Sequence, residues 1–111
     1  AFCRREVRRN RRYHGIILDP PSYGRGARKE TWKIEEDLPE LLALCADLLD
    51  DDPLFLHLSC HTPGWSPAVL RNVSQTYAPQ SGWVMDAREM EIDEATGRSL
   101  PSGSVVRATP R

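Results

Sequence analysis

The chain has 111 residues, 40% hydrophobic and 28% charged, with a formal net charge of -1. That length allows one small domain with a modest core, and the near-neutral balance excludes attachment to nucleic acid through a global basic field. No apolar run approaches the roughly 20 residues of a membrane span and no secretory leader is visible, while Cys3, Cys45 and Cys60 stand far apart without a CxxC pair, as expected of a reducing, cytoplasmic setting.

The charge is unevenly spread. Arg4, Arg5, Arg8, Arg9, Arg11 and Arg12 crowd the start, and Glu35, Glu36, Asp37, Glu40, Asp47, Asp50, Asp51 and Asp52 crowd the middle. The chain opens on Ala1-Phe2 without an initiator methionine, as expected of a fragment of a longer protein. Residues 2–12 read as the end of a helix with few apolar anchors, and as a basic lead-in to the rest. Their arginines read either as a solvated face or as a phosphate-contacting patch beside an active site.

Gly15-Ile16-Ile17-Leu18 reads as a short strand. Its unbroken apolar run suits burial on both faces, as in a parallel sheet. Asp19 follows at the carboxyl end, where open α/β folds place their chemistry. Pro20 and Pro21 stop the ladder and hold the carboxylate in a rigid turn. Gly24-Arg25-Gly26-Ala27-Arg28-Lys29 is a flexible basic loop without a phosphate-binding fingerprint, and Trp32 and Ile34 are expected to anchor its exit.

Residues 38–50 give the clearest helix, with Leu38, Leu41, Leu42, Cys45, Leu48 and Leu49 on one face. Asp37 is the expected N-cap, Glu40 its capping-box partner and Pro39 a first-turn residue. Cys45 reads as core. Leu54 to Cys60 is a second apolar strand, and the strand-helix-strand order implies a parallel crossover. Asp19 and Cys60 would then emerge at one sheet edge. His57 and His61 share a strand face but lie about 13 Å apart at strand rise, too far for one metal ion.

Ser66 is a natural N-cap with Pro67 at the first helical position, and Val69, Leu70, Val73 and Tyr77 mark a buried stripe to about Ala78. Gly82 to Ile92 alternates like a strand, with a register break expected near Ala87. Asp93 to Gly103 reads as a turn-rich connection, and Ser104 to Thr109 as a final short strand paired with its predecessor in an antiparallel hairpin.

Asp19-Pro20-Pro21-Ser22-Tyr23 resembles the fourth motif of class I S-adenosylmethionine-dependent methyltransferases. Leu58-Ser59-Cys60-His61 falls where the large-subunit ribosomal RNA cytosine-C5 group carries its sixth, and Leu100-Pro101-Ser102-Gly103 is similar to that group too. The resemblance spans nearly the whole chain but only the second half of that catalytic domain. It implies an α/β fold: a partial Rossmann-like sheet with two parallel strands joined by a helix, plus a C-terminal antiparallel hairpin. The domain would divide into the lead-in at 1–12, strand-helix-strand at 13–60, and helix and hairpin at 61–111.

The resemblance also implies roles. Cys60 would be the nucleophile that adds to cytosine C6, with Asp19 as the motif acid. Asp19, Pro20 and Pro21 would meet S-adenosyl-L-methionine, which the missing N-terminal half would mainly bind. Tyr23, Ser22 and Arg25 would meet the substrate, an RNA base. Ser22 replaces the aromatic that follows the second proline in adenine-N6 enzymes, which disfavours that chemistry. Two other readings stay open: a catalytically silent RNA-binding or interaction module, and a methyltransferase acting on a protein or small molecule. Without a neighbour, the strand at Ile16–Leu18 would offer an apolar edge for self-association.

Overall fold

The computed structural model describes residues 2–25, 31–77 and 83–110. The first helix, α1 (Phe2–Arg8), is closed by Asn10 in the left-handed region at φ 59°. The N–H groups of Asn10 and Arg11 return to the carbonyls of Val7 and Glu6, at 3.1 and 3.0 Å. This is the Schellman arrangement, with asparagine where glycine is commoner. The chain then reaches β1 (Gly15–Leu18). Tyr13 bridges to Leu49 just before it.

β1 pairs in parallel with β4 (Phe55–Cys60), Leu18 lying opposite Leu58. The helix between them, α2 (Ile34–Leu48), makes the crossover expected from the sequence. After α3 (Pro67–Tyr77), the long strands β5 (Val84–Asp93) and β6 (Ser99–Thr109) form the antiparallel hairpin. β6 also pairs antiparallel with β4, so the sheet order is β1-β4-β6-β5.

One core holds these elements together. Ile34, Leu38, Leu42 and Cys45 of α2 and Leu70 of α3 pack on Leu56, Leu58 and Cys60 of β4 and on Val106 and Ala108 of β6. Both helices therefore cover the same face of the sheet. Ile16 and Leu18 point into that face, while Ile17 on the other is 71% exposed. The expectation that β1 is covered on both faces is thus corrected: among the described residues it is an edge strand covered on one.

The start of α2 and the basic stretch before it differ from the sequence reading. α2 starts at Ile34, not Leu38, because the buried stripe of Leu38, Leu42 and Cys45 continues one turn back to Ile34. Asp37 is not the N-cap; its Oδ2 accepts the backbone N–H of the N-cap residue Lys33 at 2.8 Å. Pro39 accordingly lies inside the helix. The segment Gly24-Arg25 is not a free loop: β2 (Tyr23–Arg25) pairs with β3 (Thr31–Lys33). Residues 26–30, the rest of that basic stretch, lie outside the described residues, as do Ala78, Pro79 and Gly82.

In α3 the Ser66 cap holds, its Oγ accepting the Val69 N–H at 3.3 Å. Leu70 and Ser74 are buried and Val73 half-buried, whereas Val69 is exposed; the Tyr77 side chain lies outside what is described. The register break in the hairpin falls between Glu89 and Glu91, beyond Ala87. The connection is only a turn closed by Gly97, and β6 runs through Pro101 and Gly103. Among the described residues no helix is long and apolar enough to cross a membrane.

The docking of α1 on α2 carries a pH dependence. Burial, and then the neighbouring Cys3 thiol, push the Cys45 thiol up to about 12 from an ordinary 9.0. The Tyr13 hydroxyl donates to Glu6, which raises its pKa from an ordinary 10.0. Both groups are held protonated by the fold, so their contribution is complete below the unfolded values and is lost as pH rises through the folded ones. The melting temperature should fall progressively above pH 9, read by circular dichroism. A melting temperature unchanged up to the Cys45 value would contradict this assignment.

Candidate functional site

The site grows from the parallel register. Because Leu18 lies opposite Leu58, the next residues, Asp19 and Ser59, meet at the carboxyl edge of the sheet. The Ser59 hydroxyl donates to Asp19 Oδ1 at 2.9 Å. His61, two residues beyond Ser59, brings Nε2 to 3.5 Å from the same oxygen. Its Nδ1 lies 2.7 Å from the Ser102 carbonyl. A carbonyl only accepts, so Nδ1 carries a proton and donates it. The ring is thus fixed from behind by β6 and presented to the carboxylate in front.

The turn carrying Asp19 is fastened from three directions. The Trp32 indole N–H donates to the Pro21 carbonyl at 2.7 Å. The Ile34 N–H donates to the Ser22 carbonyl at 3.2 Å. The Ser22 and Thr62 hydroxyls share a hydrogen bond of 2.6 Å. Neither proline can donate, so these contacts replace the ladder that the turn gives up. The result is an exposed carboxylate whose position is set by a strand, a tryptophan and a helix start.

The residues expected at the site divide into two groups. Asp19, Pro20, Pro21 and Ser22 form the corner, and Tyr23 stands exposed beside it at the start of β2. Arg25 closes β2 opposite Thr31; its side chain lies outside what is described. Cys60 does not reach the corner. It is 1% exposed and belongs to the core, paired across to Ser104. The expected opening of acid and thiol onto one crevice is therefore corrected: the residue of β4 that meets Asp19 is Ser59. Strand alternation is the cause, since Cys60 shares its parity with the buried Leu56 and Leu58.

Ser59, His61 and Thr62 were not assigned to the Asp19 corner from the sequence. Their signal was available, because Ser59 has the parity of His57 rather than that of the leucines. Beyond His61, between the start of α3 and the β5–β6 hairpin, lies a cleft of about 330 Å³. Among the described residues no three His, Cys, Asp or Glu side chains converge as metal ligands would.

The arginine-rich lead-in lies elsewhere. Arg4 pairs with Glu40, and the Arg5 guanidinium sits 5.5 Å from the centre of the Phe2 ring. Arg11 and Arg12 precede the Tyr13–Leu49 bridge, at the amino end of β1. That is roughly 20 Å along extended chain from Asp19, so these two do not flank the acidic corner.

Comparison with known structures gives the architecture a context. The crystal structure of a SAM-dependent methyltransferase from Agrobacterium tumefaciens superposes with a TM-score of 0.91 at 29% identity, covering 99% of this chain and 37% of that one. The chain has part of a SAM-dependent methyltransferase fold. A structure of SMU.776 complexed with SAH matches with a TM-score of 0.73 at 15% identity, covering 96% of this chain and 28% of that one. The M1.HpyAVI–SAM complex matches with a TM-score of 0.56 at 14% identity, over 99% of this chain and 50% of that one. The chain thus spans about a third of the first two methyltransferase-fold chains it resembles. No protein-family model and no curated protein matches it.

Proposed function

We propose that the chain forms the substrate side of an S-adenosylmethionine-dependent methyl transfer to a base in RNA. The observation that carries this reading is the Asp19 corner: an exposed, rigidly held carboxylate at the carboxyl edge of the sheet, within a methyltransferase fold. When bound, the cofactor supplies an electrophilic methyl group. An exposed carboxylate on a fixed Pro-Pro turn fits the cationic methionine end of such a molecule, so Asp19, Pro20 and Pro21 would hold it there. Ser59 keeps Asp19 oriented, His61 faces the same oxygen, and Tyr23 offers a ring on which a base can stack.

Cytosine is the base the motifs favour, but covalent attack through C6 needs a thiolate that reaches solvent. With Cys60 in the core, C5 is not activated, so the methyl group is proposed to go to a nitrogen of the base, whose proton leaves to Asp19 or to water. The chain alone is expected to be inactive, so the test uses a protein that also carries the cofactor-binding half: there Cys60→Ala should keep methyl incorporation into RNA within a few-fold of the parent. Its cost should be about 1 kcal/mol of stability, from lost packing. Abolition of transfer in a folded Cys60→Ala protein would restore the covalent route.

The arginine segment favours a second reading, in which the chain only holds RNA. Filter binding separates the two, since arginine-driven binding without transfer should weaken steeply with salt. Self-association through Ile16–Leu18 belongs to the same proposal, because Ile17 lies exposed on an edge strand. Ile17→Lys should shift sedimentation from dimer to monomer; an unchanged dimer would place the contact elsewhere.

A further inference from the structure

Apart from His61 and Thr62, the cleft beyond the Asp19 corner is lined by residues that the Asp19 chemistry does not use. Trp65 lines it, half-buried, with its side chain packed in part against the core. Its backbone N–H donates to Thr62 at 3.3 Å, and its carbonyl accepts the buried Ser104 hydroxyl at 2.8 Å. Pro63 and Pro67 flank it, and His61 forms the wall shared with the Asp19 corner. Across from them stands Glu89 of β5, opposite Ser104 in the ladder. Among the described residues Glu89 makes no ion pair or side-chain hydrogen bond. Gly103 lines the same cleft without a side chain.

These features select a ligand by chemistry. A volume of about 330 Å³ lies at the low end of small-molecule sites, so it suits a single heterocycle. An indole flanked by prolines offers an aromatic and apolar surface to a planar ring. An ionised carboxylate only accepts, so the ring must bring N–H donors. Among the described residues the lining includes no Lys or Arg for a phosphate, so it is the base of a nucleotide, not its phosphate, that suits the cleft. We infer that this cleft is a subsite for a nucleobase carrying an exocyclic amine, stacked near Trp65 with its amine donated to Glu89, next to the base at the Asp19 corner. The inference rests on the RNA reading and adds to it a means of selecting sequence.

Cytidine and uridine form the decisive pair, since they differ where an amine donor replaces a carbonyl acceptor. The probe is the indole N–H spectrum of the ¹⁵N-labelled chain, which holds three tryptophans; the signal missing from Trp65→Phe assigns Trp65. Millimolar cytidine should shift the Trp65 signal and leave Trp83 in place, and uridine should leave both. Glu89→Gln should weaken cytidine binding by about tenfold. Glu89 is exposed, so this variant should fold, which unmoved Trp32 and Trp83 signals would show. An unmoved Trp65 signal, equal shifts with uridine, or a response indifferent to Glu89→Gln would each overturn the subsite. No methyl donor is present in this experiment, so its failure leaves the transfer reaction standing, and a failed transfer assay leaves the subsite standing.

Discussion

In a protein that also carries the cofactor-binding half, Asp19→Asn should lower methyl transfer by about 100-fold or more, while melting within a few degrees of the parent. The size follows from what the substitution removes. Asparagine keeps the shape and an oxygen that can still accept the Ser59 hydroxyl, now 2.9 Å away. It loses the negative charge facing His61 at 3.5 Å. A fixed charge aimed at a reacting centre contributes on the order of 100- to 1,000-fold where it has been removed singly. The carboxylate is exposed, so little folding energy depends on it. Transfer of labelled methyl groups to RNA reads the first effect and thermal melting the second. Activity within a few-fold of the parent would mean that the carboxyl edge of β1 is not where transfer occurs. A large fall in melting temperature would mean that Asp19 is a structural residue.

Most of what positions this corner was readable from residue order. Ile16 to Leu18, the leucine stripe of α2 and the apolar run before Cys60 each bury a face, and burial leaves a periodic trace. Parallel pairing then follows from the intervening helix. The features that escaped have weak or misleading traces. The strands Tyr23–Arg25 and Thr31–Lys33 have three residues each, too few for alternation to register. Pro39 argued for a helix starting just before it. Yet the N–H it lacks would have gone to the carbonyl of Glu35, an exposed residue in the first turn of the helix, so the helix absorbs the loss. Pro101 and Gly103 argued for a turn, but both lie in β6 near the register shift, where ladder bonds are already interrupted.

The site itself was half legible. The acid and its Pro-Pro turn carry their own signature in sequence, because the rigidity resides in those residues. The partner on β4 was taken to be Cys60, on the strength of its chemistry. Parity overrules chemistry there: Leu56, Leu58 and Cys60 alternate inward, and Ser59 is left beside Asp19. His61 was weighed only as a metal ligand, and its anchor depends on where β6 crosses the end of β4, a contact more than 40 residues away in sequence. No local pattern encodes that crossing.

That crossing depends on Gly103. Gly103→Ala should destabilise the chain by about 2–4 kcal/mol, a sum of two ordinary penalties. The first is conformational: φ is +114°, a region that L side chains rarely adopt. The second is steric. An added Cβ would stand 2.5 Å from the Cys60 carbonyl oxygen and 3.1 Å from both His61 Nδ1 and Met90 Cε. The oxygen belongs to backbone, so β4 and β6 must part where Ser102 holds the His61 ring. Gly97→Ala separates the two penalties. Its φ of +86° is also positive, but nothing lies within 4 Å of the new Cβ, so it should cost only about 1 kcal/mol. Urea unfolding of the two variants should differ accordingly. In folded Gly103→Ala protein, the His61 ring signals should also move, because the carbonyl that orients them has shifted. Equal costs at positions 97 and 103 would mean that the strand crossing yields freely, and that the Asp19–His61 geometry does not depend on this glycine.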